Sequence, residues 1–293
     1  MIAVAGPDLP HEILHAADCH AGVIAFDPDR ATPRAEKWLE SKFAPWTRSV
    51  LEDWIDGRYN GLQAVLFSRA DDSSQRLYYY ICELQRTGQI SGPEALIVDV
   101  ARIPRHISRQ RIADQLQILC TRLSVTPDQL EAAISAANLR RSKKAPASVD
   151  GRCCLLAGTP PPDHRLHLAI EKAGFVPVGP TLAEDWSDEG AMVEEQTDDP
   201  IGALAAQMHA RRGGPRSFAD PAALLEERIS DCDAEAVILW RIEEDEAQCW
   251  HLPAELRALE KLGVPHLVST RRDWLARDGV AAEIDDFLMG MRS

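Results

Sequence analysis

The chain switches between two hydrophobic rhythms, and that alternation restricts its fold more than any other feature. Short apolar runs, "IAVA", "GVIAFD", "LQAVLFS" and "ALIVDV", recur up to residue 100. Between them lie amphipathic stretches with helix punctuation. "PHEILHAAD" carries Pro10 at its first position and "TPRAEKWLES" starts from a threonine cap. "PWTRSVLEDWIDG" runs from Pro45 to Gly57, and "SSQRLYYYICELQRTG" closes at Gly88. Buried strands separated by helices predict a parallel sheet covered by helices.

From Pro104 to Asp150 the strand rhythm stops. "ISRQRIADQLQILCTRL" and "TPDQLEAAISAANLRR", the latter capped by Thr126, read as two helices of a connector. A second series then starts with "RCCLLAG" and continues through "DHRLHLAIEKAG", "FVPVG", "AEAVILWRI", "PAELRALEKLG", "PHLVS" and "GVAAEIDDFLMGM". Further helices are expected around residues 203–212 and 221–230. The acidic segment "AEDWSDEGAMVEEQTDD" (residues 183–199) breaks the pattern and reads as a solvated loop over a sheet edge. The expected architecture is therefore two α/β domains with parallel sheets, residues 1–104 and 151–293, joined by a helical connector at 105–150. No internal repeat in the sequence is strict enough to support this independently.

Two domains also suit a length of 293 residues, which exceeds one ordinary core. No apolar run approaches the roughly 18 residues of a membrane span. The start, "MIAVAGPDLPHE", lacks the basic region and cleavage pattern of a secretory signal, so a cytoplasmic protein with no membrane partner is expected. A net charge of −14 argues against nucleic acid, which would be repelled over most of the surface. A small anion needs only a local basic patch. Four are present: "ARIPRHISRQR" (101–111), "RRSKK" (140–144), Arg211 with Arg212, and Arg271 with Arg272; each also reads as a solvated face. The seven cysteines show no C-x-x-C spacing. Cys82, Cys120, Cys153 and Cys154 fall in apolar patterns of buried thiols, and only Cys249, in "EEDEAQCWH", is placed for another role.

Four segments carry a resemblance: "GPDLPHEILHAADCHAGV", "AEKWLESKFAPWTRSVLEDWIDGRYNGLQAVLFSRADDSSQRLYYY", "LLAGTPPPDHRLHLAIEKAGFVPV" and "LEKLGVPHLV". In this order they resemble the 2-hydroxyacyl-CoA dehydratase and benzoyl-CoA reductase subunit family, with a connector shorter than the family's helical insertion. The resemblance implies two Rossmann-like domains facing a central cleft that holds a four-iron four-sulfur cluster and a CoA thioester. It also implies a homologous subunit and electron delivery from an ATP-driven activator. Clusters of this kind are held by cysteine thiolates. The three positions that correspond to them are here Ala44, Asp71 and Asp245 or a neighbour, with Cys249 four residues further on. A cluster bound by this chain alone is therefore not expected.

The same comparison sets out the candidate residues. Asp71 stands at a ligand position and Asp72 beside it is expected to cap the following helix, although either carboxylate could cap it or floor a site. Asp71 and Asp245, with Glu243, Glu244 or His251, could act as acid and base or take a hard cation. His11 and His15 share a helical face at i and i+4; by the resemblance, His11 and Glu12 border the active site, and the spacing alone equally suits a solvated stripe. Arg48, one turn into its helix, opposes the helix dipole unless an anion or the nearby Glu52 or Asp53 relieves it, and Arg48 and Asp72 are the candidate substrate-binding residues. Tyr78, Tyr79 and Tyr80 read as a packed helix face. Three functions follow: a cluster-free dehydratase-like subunit (a lyase by resemblance) binding a CoA thioester or a cluster-bearing homologue; a non-catalytic partner or assembly protein; and a metal-assisted lyase or hydrolase built on Asp71 and Asp245.

Overall fold

The computed structural model describes residues 1–143, 151–214 and 217–291. In chain order the first elements are β1 (Ile2–Ala5), α1 (His11–Ala16), β2 (His20–Val23), α2 (Pro45–Ile55), β3 (Ala64–Ser68), α3 (Asp72–Arg86) and β4 (Glu94–Val98). The helices α4 (His106–Leu123) and α5 (Pro127–Lys143) follow. The chain continues through β5 (Cys153–Gly158), α6 (Arg165–Lys172), β6 (Val176–Val178), α7 (Leu182–Trp186), α8 (Pro200–Ala210) and α9 (Pro221–Asp231). It ends with β7 (Ala236–Ile242), α10 (Glu246–Cys249), α11 (Leu252–Leu262), β8 (His266–Arg272) and α12 (Val280–Gly290).

Among the described residues eight strands form two four-stranded sheets, ordered β2-β1-β3-β4 and β6-β5-β7-β8, with every pairing parallel. The expectation of two Rossmann-like parallel-sheet domains holds. In each sheet the chain leaves the first strand toward one edge, then returns to the other side, so the second helical crossover departs in the opposite direction. The crossover point lies between β1 and β3 in one sheet and between β5 and β7 in the other, and open α/β sheets bind ligands outside the carboxyl ends of such strands. A repeat too weak to read in the residues is thus explicit in the strand order.

The chain divides into two compact units, Met1–Ala145 with Trp186–Phe218, and Pro146–Asp185 with Ala219–Ser293. The first unit therefore contains the helices read as a connector. Ile2, Val4 and Leu66 of its sheet share a core with Ile13 and Leu14 of α1, Ile112 and Leu116 of α4, Leu130 and Ile134 of α5, and Leu204 and Met208 of α8. Each such burial contributes roughly 1.5–3 kcal/mol, which makes α4, α5 and α8 one wall of this unit rather than a linker. Residues 144–150 of the expected connector, including Lys144 of the basic run, lie outside the described residues. In the second unit Leu155 and Ala157 of β5 and Val237 and Leu239 of β7 pack on Leu225 and Ile229 of α9 and Leu259 of α11.

Two local expectations are corrected. "TPRAEKWLES" forms one 3-10 turn, Ala35–Lys37, instead of an α-helix. The Glu52 carboxylate accepts from the backbone N–H groups of Arg34 (3.0 Å) and Ala35 (2.8 Å), tying the segment's start to α2. The acidic segment 183–199 is not a solvated loop. Trp186 and Val193 are buried; Trp186 meets Trp46 edge to face at 4.7 Å. The Asn138 side chain donates to the Val193 carbonyl (2.7 Å) and accepts from its N–H (3.0 Å). Gln207 donates to the carbonyls of Glu189 and Ala191, both at 2.9 Å. Acidic exposed positions alternate here with apolar and backbone anchors, which average composition conceals.

Candidate functional site

At the β1–β3 crossover the first unit closes with hydroxyl groups. The buried Ser74, in the first turn of α3, donates to the Ala5 carbonyl (2.6 Å) and accepts from the Ser68 N–H (3.0 Å), so one side chain spans both strand ends. Gly6 is kept small by this arrangement: its φ is +118°, and a Cβ would lie 2.7 Å from Ser68 Cβ and 2.8 Å from Ser74 Oγ. Asp71, at φ −116° and ψ 132°, is the N-cap of α3, and its carboxylate accepts from the Ser74 N–H at 2.6 Å. This corrects the expectation for the acidic pair: Asp72 is already the first helical residue and is exposed, so Asp71 is the cap. Ala44 is the N-cap of α2 with no side-chain bond, and its N–H donates to Ser73 Oγ at 3.3 Å. The starts of α2 and α3 therefore adjoin, bringing Ala44 and Asp71 into one neighbourhood.

Arg48 donates to the Ser41 carbonyl at 3.0 Å. Glu52 pairs instead with Arg34 at 2.8 Å, and Asp53 pairs with Arg30 and Arg58. Tyr80 packs on Phe43 and Tyr78 on Phe67, while Tyr79 is exposed, so the tyrosines flank the buried Leu77–Ile81–Leu84 stripe of α3.

The α1 residues are more deeply placed than a solvated stripe would be. His11 and Glu12 are buried; Glu12 pairs with the equally buried Arg141 of α5. His15 is exposed. His11 Nε2 lies 3.0 Å from the Trp186 carbonyl oxygen and its Nδ1 lies 3.0 Å from His20 Nε2. A carbonyl only accepts, so His11 carries its proton on Nε2, its Nδ1 accepts, and His20 Nε2–H donates to it. Burial, reinforced by the Arg211 charge, pushes His11 down to about 4, and burial with the neighbouring His11 and His15 takes His20 to about 4 as well. Both rings are neutral at pH 7, leaving His20 Nδ1 as a lone-pair nitrogen.

In the second unit the β5–β7 crossover closes differently. The Thr159 hydroxyl donates to Asp245 Oδ2 at 2.7 Å. Asp245 is the N-cap of the short α10, and burial pushes its carboxyl above the ordinary range against the opposing Thr159 bond and Arg241 charge. Gly158 has φ +103°, and a Cβ there would lie 2.0 Å from the Trp240 carbonyl oxygen. Cys249 is half-buried and its thiol donates to the Asp245 carbonyl at 3.7 Å. Glu243 is exposed, Glu244 is half-buried, and His251 precedes α11 as its N-cap. Of the apolar-pattern thiols, Cys120, Cys153 and Cys154 are buried as expected and Cys82 is half-buried; burial raises Cys120 to about 11 and Cys154 to about 12, which suppresses the reactive thiolate.

No protein-family model and no curated protein matches the chain. Its site is therefore read from its own donors. An iron–sulfur cluster needs thiolates. Ala44 has no donor, Asp71 holds the α3 cap and Asp245 holds Thr159. The side chains at these positions do not fit the cluster that the resemblance implies. Asp71 belongs to the first unit and Asp245 to the second. Among the described residues no group of three or more His, Cys, Asp or Glu could hold a metal ion. Also among the described residues, no helix is long and apolar enough to cross a membrane.

Sequence reading missed His20, Trp186 and Ser74. A tryptophan isolated in an acidic run was the one available sign that the run is anchored. Nothing local marks His20 or Ser74.

Proposed function

We propose that this chain is a cluster-free subunit of the 2-hydroxyacyl-CoA dehydratase type, which binds a CoA thioester, a cluster-bearing homologue, or both. The observation that carries the reading is that all three thiolate-equivalent positions, Ala44, Asp71 and Asp245, are helix N-caps. Helix starts beyond strand ends are where this architecture presents backbone N–H groups and ligand contacts. A scaffold with its ligand-equivalent positions at such points, and non-thiolate residues on them, suits a relative that keeps a binding role after loss of the metal ligands. The commitment of both aspartates to structural bonds also supports binding over acid–base catalysis, and this favours the partner or assembly reading as the alternative.

Calorimetric titration of the purified chain with a panel of CoA thioesters, alongside iron and sulfide analysis of an anaerobic preparation, tests the proposal. Saturable thioester binding with negligible iron and sulfide is expected. Near-stoichiometric iron and sulfide would overturn it. Absence of thioester binding, with capture of a cysteine-bearing homologue, would leave the partner role alone.

A further inference from the structure

Two of the basic stretches visible in the sequence, 101–111 and 211–212, converge on one aspartate. Asp8, just beyond β1 in a left-handed turn (φ +60°), is buried and forms an ion pair with Arg102. Its other oxygen lies 3.0 Å from Arg211 Nη1. The Arg102 side chain is only 4% exposed and also donates to the Arg211 carbonyl at 2.6 Å. Alongside, Asp99 accepts from Arg69 at 2.9 Å and from Arg111 at 3.2 Å. In these pairs four guanidinium groups share two carboxylates, leaving two positive charges in excess on a chain whose net charge is −14.

A cavity of about 420 Å³ opens against this cluster, lined by Arg69, Asp99, Arg102, Ile103, Ser217 and Phe218. It lies beyond the end of β4, on the carboxyl edge of the sheet where parallel α/β folds take their ligands. Its volume falls within the usual range for small-molecule sites. Arg102 Nε has no hydrogen-bond partner among the described residues although it is buried. A buried N–H without an acceptor destabilises the protein, and an anionic ligand would supply that acceptor with a charge-assisted bond.

We propose that this cavity is an oxyanion site, in which Arg102 and Arg69 hold the carboxylate or phosphate group of a small ligand. The site needs neither a cluster nor a thioester and stands independently of the dehydratase-type reading. Arginine suits the task because its planar fork meets two oxygens of one anion while remaining charged at any working pH.

Calorimetric titration of the full chain with pyrophosphate, inorganic phosphate and malonate at low ionic strength tests it. Saturable one-to-one binding of at least one anion is expected. Preference for pyrophosphate assigns a phosphate ligand, and preference for malonate assigns a carboxylate. Arg69→Gln and Arg102→Gln are each expected to weaken binding by about tenfold or more. Arg257→Gln, at an exposed position of α11, leaves it unchanged. Arg102→Gln strips a buried partner from Asp8, so if that variant does not fold, the half-exposed Arg69 decides the matter. Absence of saturable binding for all three anions, or unchanged affinity in Arg69→Gln, overturns the proposal.

Discussion

At the β1–β3 crossover a helix side chain, Ser74, bonds both strand ends, whereas at the β5–β7 crossover a loop hydroxyl, Thr159, meets the carboxylate of Asp245. Both sheets share one strand order, both place a positive-φ glycine at the end of the first strand or just beyond it, and both place an aspartate N-cap after the third. The closures differ in charge. The hydroxyl clasp of the first unit is neutral, while that of the second contains a half-buried carboxyl with a raised pKa. One topology therefore supports two crossovers with separate responses to pH and to substitution.

The largest effect expected is at the glycines. Gly158→Ala drives a Cβ to within 2.0 Å of a backbone oxygen, which cannot rotate away, and the expected loss is about 4 kcal/mol or more. Gly6→Ala meets serine side chains at 2.7 and 2.8 Å, which can give slightly, and about 2–3 kcal/mol is expected. Urea unfolding of both variants measures the gap. Equal losses would dissolve the distinction between a backbone-limited and a side-chain-limited crossover.

Acid comes next. His11 and His20 have folded pKa values near 4, below the ordinary 6.5, so the folded state binds fewer protons than the unfolded chain between those values. Their contribution is present above about pH 6.5 and disappears as pH falls through 4, with His11 alone accounting for about 3 kcal/mol. Asp245 acts in the opposite sense: its raised pKa favours the folded state below the ordinary carboxyl value, and that contribution is lost as pH rises through the raised one. Stability measured from pH 7 to 4 should fall less steeply in His11→Asn than in the natural chain. Asp245→Asn should gain relative stability toward pH 7. A His11→Asn profile parallel to the natural one would sever the histidines from the acid response.

Smaller effects sharpen the clasp itself. Ser74→Ala leaves the buried Ser68 N–H without its acceptor and is expected to lose about 2 kcal/mol by thermal or urea unfolding. Asp71→Ala removes the α3 cap and should lose about 1 kcal/mol. Asp72→Ala leaves the Asp71–Ser74 cap bond in place, so a smaller loss than in Asp71→Ala is expected. A larger loss at Asp72 than at Asp71 would reverse the cap assignment.

The sheets were legible in the sequence because burial on both faces of a parallel strand leaves unbroken apolar runs such as "AVILW", and the helices because of their capping residues. Thr126 illustrates the second case: its hydroxyl and the Gln129 side chain bond reciprocally across the first turn of α5. Asp71 and Asp72 were not separable because both carboxylates lie near the α3 start, and only the extended backbone of Asp71 decides between them. The histidine pair was hidden for another reason. His11 is held by a carbonyl 175 positions away, and no local pattern encodes a bond over that distance. The helical periodicity of "TPRAEKWLES" carries no record of Glu52, which binds the segment's first amides.

The return of Trp186–Phe218 to the first unit has a consequence for biosynthesis. Leu204 and Met208 of α8 complete a core begun by Ile2 and Val4, so the nascent first unit cannot seal its helical wall until residue 210 has left the ribosome. By then β5, α6 and β6 have already emerged, and their sheet still lacks β7 and β8. During that interval a complete first sheet without its full helical cover and a half-built second sheet share one growing chain, and both expose apolar surface.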